Sequence, residues 1–248
     1  MRPYLSGPGE GGMPATTSHA RVRFVSVRHS SGRRLISVLD RATLEAYTHR
    51  VAQVAWEVEA NLSQHVLANR VAACSTDPLE LRLRPWRSER SAFFGRLAEL
   101  TERWDTLVFA DVRRCYPSIS PALVGAELRR IGVPTAGEVE SFLRGLRADG
   151  VCGLPVGPDP SAVLANAVLG HVDRRLEEIG LAHVRWVDDV VLASSEPASA
   201  LSSVRRALAE IGLRVNEAKT RVIVGAPAAV LGRRLGSPTG RIGTPTRR

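Results

Sequence analysis

The hydrophobic pattern divides the chain into short apolar runs separated by longer stretches of helical period. Residues 21–27 alternate Arg or Ser with Val and Phe, the period of a half-buried strand. Residues 35–39 predict a second strand, with 29–32 as the turn. Asp40 then offers an N-cap to a helical pattern drawn through residue 74, with Leu44, Val51, Val54, Ala55, Val58 and Leu62 on its apolar side. A polar loop at 75–87 precedes a second helix over 90–101. In the middle of the chain, residues 106–110 form an apolar strand ending at Asp111. Ser120-Pro121 starts a helix that Gly132 ends, Thr135 starts another running to 148, and 161–179 is a third, with Ser161 as its N-cap. Two short apolar strands, 183–187 and 190–193, meet at Asp188-Asp189. A helix over 197–211 closed by Gly212, then strand-like segments at 213–215 and 220–224, complete the order. Strands interleaved with helices, plus one tight hairpin, predict an α+β fold in which an antiparallel sheet carries helices packed on one face. Residues 1–20 and 236–248, rich in Gly, Pro, Ser and Thr, read as a flexible leader and tail.

Composition narrows the setting. A 248-residue chain with 44% hydrophobic and 24% charged residues is that of a folded protein rather than a disordered one. No apolar run approaches the ~20 residues of a membrane span, and the first residues lack a secretory apolar core, so a cytoplasmic protein without a membrane is expected. Cys74, Cys115 and Cys152 form no CxxC pair, which points to neither a disulfide framework nor a zinc site. The balance of 34 Lys+Arg against 25 Asp+Glu, a net charge of +9, favours a polyanionic partner, nucleic acid before membrane. Of those 34 basic residues all but Lys219 are arginine. A GC-rich coding sequence would replace Lys by Arg without any role in binding, and it leaves the one lysine to be explained.

The acidic residues carry the chemistry. Asp111 ends an apolar strand, and Asp188-Asp189 sit between the apolar pairs Trp186-Val187 and Val190-Val191. Carboxylates in such places are unfavourable unless they lie at an edge, are paired, or bind a cation. Neighbouring strands would bring all three to one end of the sheet. That cluster repels itself unless a divalent cation neutralises it, and hard oxygen donors suit Mg²⁺. Two ions roughly 3.5–4 Å apart activate a hydroxyl nucleophile and stabilise a leaving pyrophosphate. The plain alternative is turn chemistry, since Asp is common in hairpin turns.

Longer motifs add to this. The segment from Val108 through Asp111, Tyr116 and Pro117 to Ile119 resembles the first palm motif of reverse transcriptases, and Gly153 through Gly157 and Ser161 to Asn166 resembles the second. Arg185-Trp186-Val187-Asp188-Asp189 is similar to the aromatic-x-Asp-Asp third motif. The run from Gly212 through Asn216 and Lys219 to Thr220 is similar to the fourth, and Leu231-Gly232 to a remnant of the fifth. Order and spacing agree over residues 21–234. The resemblance implies a fingers–palm architecture, with fingers over 21–106 and a palm with the catalytic carboxylates over 107–235. With 29 residues after Lys219, a thumb is expected to be absent or vestigial. A protein or RNA partner, or a second copy, would then supply it.

The resemblance also implies roles. Asp111 and Asp188 would hold two Mg²⁺ (or Mn²⁺) ions, with Asp189 as a less direct carboxylate and the Val112 carbonyl completing the ligand set. Tyr116 would lie under the sugar and exclude a 2′-OH, unless it is simply a core aromatic before a proline turn. Gly153 and Gly157 would leave room for the base pair and template backbone. Arg33 and Arg34 would cover the triphosphate, arginine being suited to bidentate phosphate contact, or are two more exposed arginines. Ser161 and Asn166 serve either this site or the fold. Lys219 falls where such polymerases place a proton donor for the departing pyrophosphate, a task open to an ammonium and closed to a guanidinium; a chance lysine is the alternative.

Two positions depart from the family: Val156 stands where Gln is common, and Trp186 where Tyr is common. The Gly-Leu-Pro-Val-Gly-Pro run is closest to the bacterial abortive-infection and other phage-defence reverse transcriptases. The expected activity is RNA-directed DNA synthesis from deoxynucleoside triphosphates on an RNA template with a DNA or protein primer, in antiviral defence. A template-independent or protein-primed nucleotidyltransferase is the nearest alternative, and a catalytically silent nucleic-acid-binding scaffold the more distant one.

Overall fold

The computed structural model describes residues 21–29, 32–72 and 80–225. The expected leader and tail, Cys74 and Leu231-Gly232 lie outside them. The chain opens with a β-hairpin, β1 (Val22–His29) and β2 (Gly32–Leu39), followed by α1 (Arg41–Ala60) and α2 (Trp86–Arg103). Then come β3 (Thr106–Asp111), the single turn α3 (Cys115–Ser118), α4 (Pro121–Arg130), α5 (Ala136–Ala148) and α6 (Asp159–Glu178). Strands β4 (His183–Trp186) and β5 (Asp189–Ala193), helix α7 (Pro197–Glu210) and strand β6 (Arg221–Val224) complete the order.

Four strands form one antiparallel sheet in the order β4-β5-β3-β6, and β1-β2 form a separate two-stranded sheet. Strand β3 is buried on both faces, which is why its sequence shows an apolar run rather than an alternation. Val108, Ala110, Val190 and Leu192 face the large core built with α1 and α4–α7. Most helices therefore lie on one face. The second face is also covered in part: Phe93 and Leu97 of α2 pack on Leu107, Phe109, Val184 and Val191. Helix α6 runs through the centre, and its small and aliphatic residues are buried nearly all round, as a helix enclosed by neighbours requires.

The helix starts follow their caps. Asp40 accepts from the Thr43 amide at 2.7 Å, and Ser120 from that of Leu123 at 3.2 Å. Several boundaries differ from expectation: β2 begins at Gly32 rather than 35, and α2 at Trp86 rather than 90. The helix begun at Asp40 ends at Ala60, not near 74; all six apolar positions that defined it precede residue 63. Beyond it, Val66 pairs with Arg185: the Leu67 amide donates to the Arg185 carbonyl at 3.0 Å and the Arg185 amide to that of His65 at 2.8 Å. Leu44, expected in the core, is exposed. Ser161 does not cap α6, which begins at Asp159 after Pro158. Its buried hydroxyl instead bonds the Tyr47 hydroxyl at 3.0 Å and ties α6 to α1. The segment 213–215 is no strand; only Val215 makes a bridge, to Val112.

Candidate active site

The register of the sheet builds the site. Asp111, the last residue of β3, is paired directly with Asp189, the first of β5. Trp186 pairs with Asp189 across the β4-β5 hairpin, which leaves Val187-Asp188 as its two-residue turn. Val187 takes φ 57°, a left-handed conformation unfavourable for a β-branched residue. The Val112 amide donates to the Asp188 carbonyl at 3.2 Å, which fixes the turn against β3. Asp111, Asp188 and Asp189 thus converge at one end of the sheet.

Their electrostatics follow from crowding. Burial raises the Asp188 carboxyl, and the charge of Asp111 raises it further, while Arg34 and Lys219 pull it back. Burial, then Asp188 and Asp111, push Asp189 up to about 7, although that residue keeps an exposed surface. Asp111 is held differently. The Asn216 side-chain amide donates to its Oδ1 at 2.8 Å, and the Lys219 ammonium pairs with its Oδ2 at 2.8 Å. The Asn216 backbone amide donates to the Asp111 carbonyl at 2.7 Å, and the Lys219 amide donates to the Asn216 carbonyl at 3.0 Å. The loop before β6 is therefore clamped to the end of β3, with the chain's single lysine in contact with Asp111.

Behind the turn lies a buried polar network. Arg185 is fully buried, and its guanidinium grips the equally buried Asp173 of α6 through Nε at 2.9 Å and Nη2 at 2.7 Å. Its Nη1 donates to Asn166 Oδ1 at 2.9 Å and to the Val187 carbonyl at 2.7 Å. Asn166 passes the chain of bonds on to the Ala68 carbonyl at 2.8 Å. Burial alone would raise the Asp173 carboxyl, but Arg185 holds it down at about 2.

Over residues 28–235 the chain matches the family described as reverse transcriptase (RNA-dependent DNA polymerase). It belongs to that family. A comparison with curated proteins finds no match. Among solved structures, telomerase from Candida albicans in complex with a TWJ fragment of telomeric RNA shares the fold, at a TM-score of 0.52 and 13% identity. The match covers 81% of this chain and 41% of that one, so the chain spans less than half the length of that relative.

Tyr116, Gly153 and Gly157, also expected at the site, differ in what they touch. Tyr116, on α3, packs against the core, and its phenol is shifted up by burial, then by the charges of Cys115 and Asp188. Gly153 takes φ +66°, and a Cβ there would stand 2.4 Å from the Tyr116 carbonyl and 2.5 Å from that of Pro117. Its bareness serves the approach of the loop to α3, where the Leu154 amide bonds the Tyr116 carbonyl at 2.9 Å. Gly153→Ala should destabilise the fold by at least about 2 kcal/mol in urea unfolding, from strain and from a backbone clash. Gly157 faces β2, where a Cβ would meet Ile36 at 2.9 Å, and the Val156 carbonyl accepts from the Ser37 amide at 2.8 Å.

The two arginines separate. Arg33 turns back onto β1, donating to Ser26 Oγ at 2.8 Å, whereas the charge of Arg34 reaches Asp188. Sequence reasoning gave no role to Asn216, Asp173 or Arg185. Asn216 and Arg185 stood inside quoted motifs, but only the packing of the loop and of α6 reveals what each holds.

Proposed function

We propose that the chain is an RNA-directed DNA polymerase, adding deoxynucleotides to a 3′-OH with divalent metal ions at Asp111, Asp188 and Asp189. The observation that carries this reading is the Asp111–Asp189 register with Asp188 in the adjoining turn, inside a chain of the reverse transcriptase family. The donor set fits a hard cation: carboxylates raised by burial and mutual repulsion are relieved by positive charge. Among the described residues no group of three acidic, His or Cys side chains is gathered closely enough to hold an ion as placed; Asp111 is engaged by Asn216 and Lys219 instead. Asp111, Asp188 and the Val112 carbonyl would hold Mg²⁺ or Mn²⁺, with Asp189 beside them. The ions would supply a more acidic primer hydroxyl and charge for the leaving pyrophosphate.

The chain's own residues do the rest. The Arg185 network and the Val112 amide hold the Asp188 turn in position. Arg34 offers its guanidinium to the triphosphate, and Tyr116 would bar a ribose 2′-OH. We expect Arg34→Ala to raise the deoxynucleotide KM about tenfold, the loss of a charge-assisted bond, and Arg33→Ala to change it less than about twofold. Lys219 donates a proton to the departing pyrophosphate. Lys219→Arg should preserve the pairing with Asp111 and lower kcat by about 100-fold with little change in KM, because the guanidinium retains its proton. A normal kcat in steady-state kinetics would defeat that role.

The bacterial phage-defence subtype is part of this proposal, supported by the Gly-Leu-Pro-Val-Gly-Pro run followed by Ser161 and Leu164-Ala165-Asn166. The testing experiment is incorporation of labelled deoxynucleotide with Mg²⁺ on primed RNA, beside the same mixture without template. Incorporation only with template supports the reading. Incorporation without it favours a template-independent nucleotidyltransferase, and none at all favours the silent scaffold.

A further inference from the structure

Two exposed tryptophans stand in different surroundings. Trp56, on α1, is 60% exposed, and among the described residues no cation or aromatic ring contacts it. Trp86 opens α2 and is 51% exposed, with the Arg87 guanidinium 5.7 Å from its ring centre. Four residues on, Arg90 lies 5.1 Å from the ring centre of Phe94 and 5.9 Å from that of Trp186. Trp86, Arg90 and Phe94 follow each other at intervals of four and so share one side of the helix. Trp186 immediately precedes the Val187-Asp188 turn. The line of rings and guanidinium groups therefore runs from an exposed helix start to the candidate active site.

Charge along α2 is uneven. In the N-terminal half the one acid, Glu89, is buried and accepts from the Asn69 and Arg70 amides at 3.0 and 2.9 Å. Its charge is turned inward, while Arg87 is exposed with no ion-pair partner among the described residues. In the C-terminal half Glu99 and Glu102 balance Arg96 and Arg103, and Arg96 bonds Glu99 at 2.6 Å.

We propose that the N-terminal half of α2, from Trp86 and Arg87 to Phe94 and Trp186, is a stacking surface for an unpaired nucleic-acid strand. The inference rests on the nucleic-acid reading of the site and adds the surface along which a strand leaves it. Aromatic faces accept bases of any identity, and guanidinium groups beside them meet both the bases and the phosphates. A protein partner would call for a continuous apolar patch, whereas here cations sit on the rings themselves.

The test uses the full chain without divalent ions and a short labelled oligouridine, read by fluorescence anisotropy at low and moderate salt. Trp86→Ala and Arg87→Ala should each weaken binding about tenfold, and Trp56→Ala should leave it unchanged. Both tryptophans are exposed, so unchanged thermal unfolding of the variants excludes misfolding as the cause. A blunt duplex should bind the wild type and Trp86→Ala alike. Equal oligouridine binding by Trp86→Ala and Trp56→Ala overturns the proposal, as does an equal loss for the duplex. Binding is read without turnover. A protein that binds through Trp86 but never incorporates nucleotide defeats the polymerase reading and leaves this surface standing.

Discussion

Asp188→Asn should lower nucleotide incorporation by at least about a thousandfold while leaving the metal-free protein no less stable than the wild type. The two halves of this result have one cause. In the fold the Asp188 carboxyl is raised above the usual carboxylate range, first by burial and then by Asp111. A raised acid pKa means that the ionised form is disfavoured by folding at neutral pH, so a neutral side chain of the same shape removes a repulsion. That repulsion is what a bound cation would relieve. Losing it forfeits several kcal/mol of charge stabilisation, and each 1.4 kcal/mol is tenfold in rate. Thermal unfolding separates the effects: added Mg²⁺ should raise the wild-type melting temperature and have little effect on the variant. A variant with wild-type incorporation removes Asp188 from the mechanism.

Arg185→Met should destabilise the protein by about 3–5 kcal/mol, the largest structural effect of any single change proposed for this chain. The substitution leaves Asp173 charged, buried and without its bidentate partner, and also frees the Val187 carbonyl and Asn166. The midpoint of urea unfolding at neutral pH measures the loss. A pH series checks its origin. Because the folded pKa of Asp173 is depressed to about 2, the ion pair contributes its full stability above the unfolded carboxylate value. That contribution is lost as pH falls through the folded value. Wild type and Arg185→Met should therefore converge in stability toward acid. Asp173→Asn with Arg185→Met, which removes both charges, should recover much of the loss.

These residues also mark how far the sequence alone carries the account. Asp111, Asp188 and Asp189 stood out because carboxylates beside apolar strands are conspicuous in any chain, but that β3 and β5 are neighbours in register comes from the sheet itself. The sheet and most helix starts were legible through the same patterning and through caps such as Asp40 and Ser120. The end of α1 was not, because the polar stretch after Ala60 takes its shape from pairing with β4, a contact more than 100 residues away in sequence. Ser161 looked like a cap because serine before an apolar run usually is one, yet the preceding Asp-Pro already starts α6. Arg185 was hidden among 33 arginines; only its complete burial distinguishes it from the exposed ones. Lys219 drew notice by composition, and its contact with Asp111 joins that oddity to the carboxylates.

The central claim, templated synthesis at the Asp111–Asp188–Asp189 end of the sheet, is most directly tested by single-nucleotide extension. A primer is annealed to RNA templates that differ only in the next base, and each of the four deoxynucleotides is offered singly with Mg²⁺. The account predicts that only the complementary deoxynucleotide is added to each template, and that the ribonucleotide counterparts are poor substrates. Addition of all four at similar rates, or undiminished addition with no template present, would contradict it.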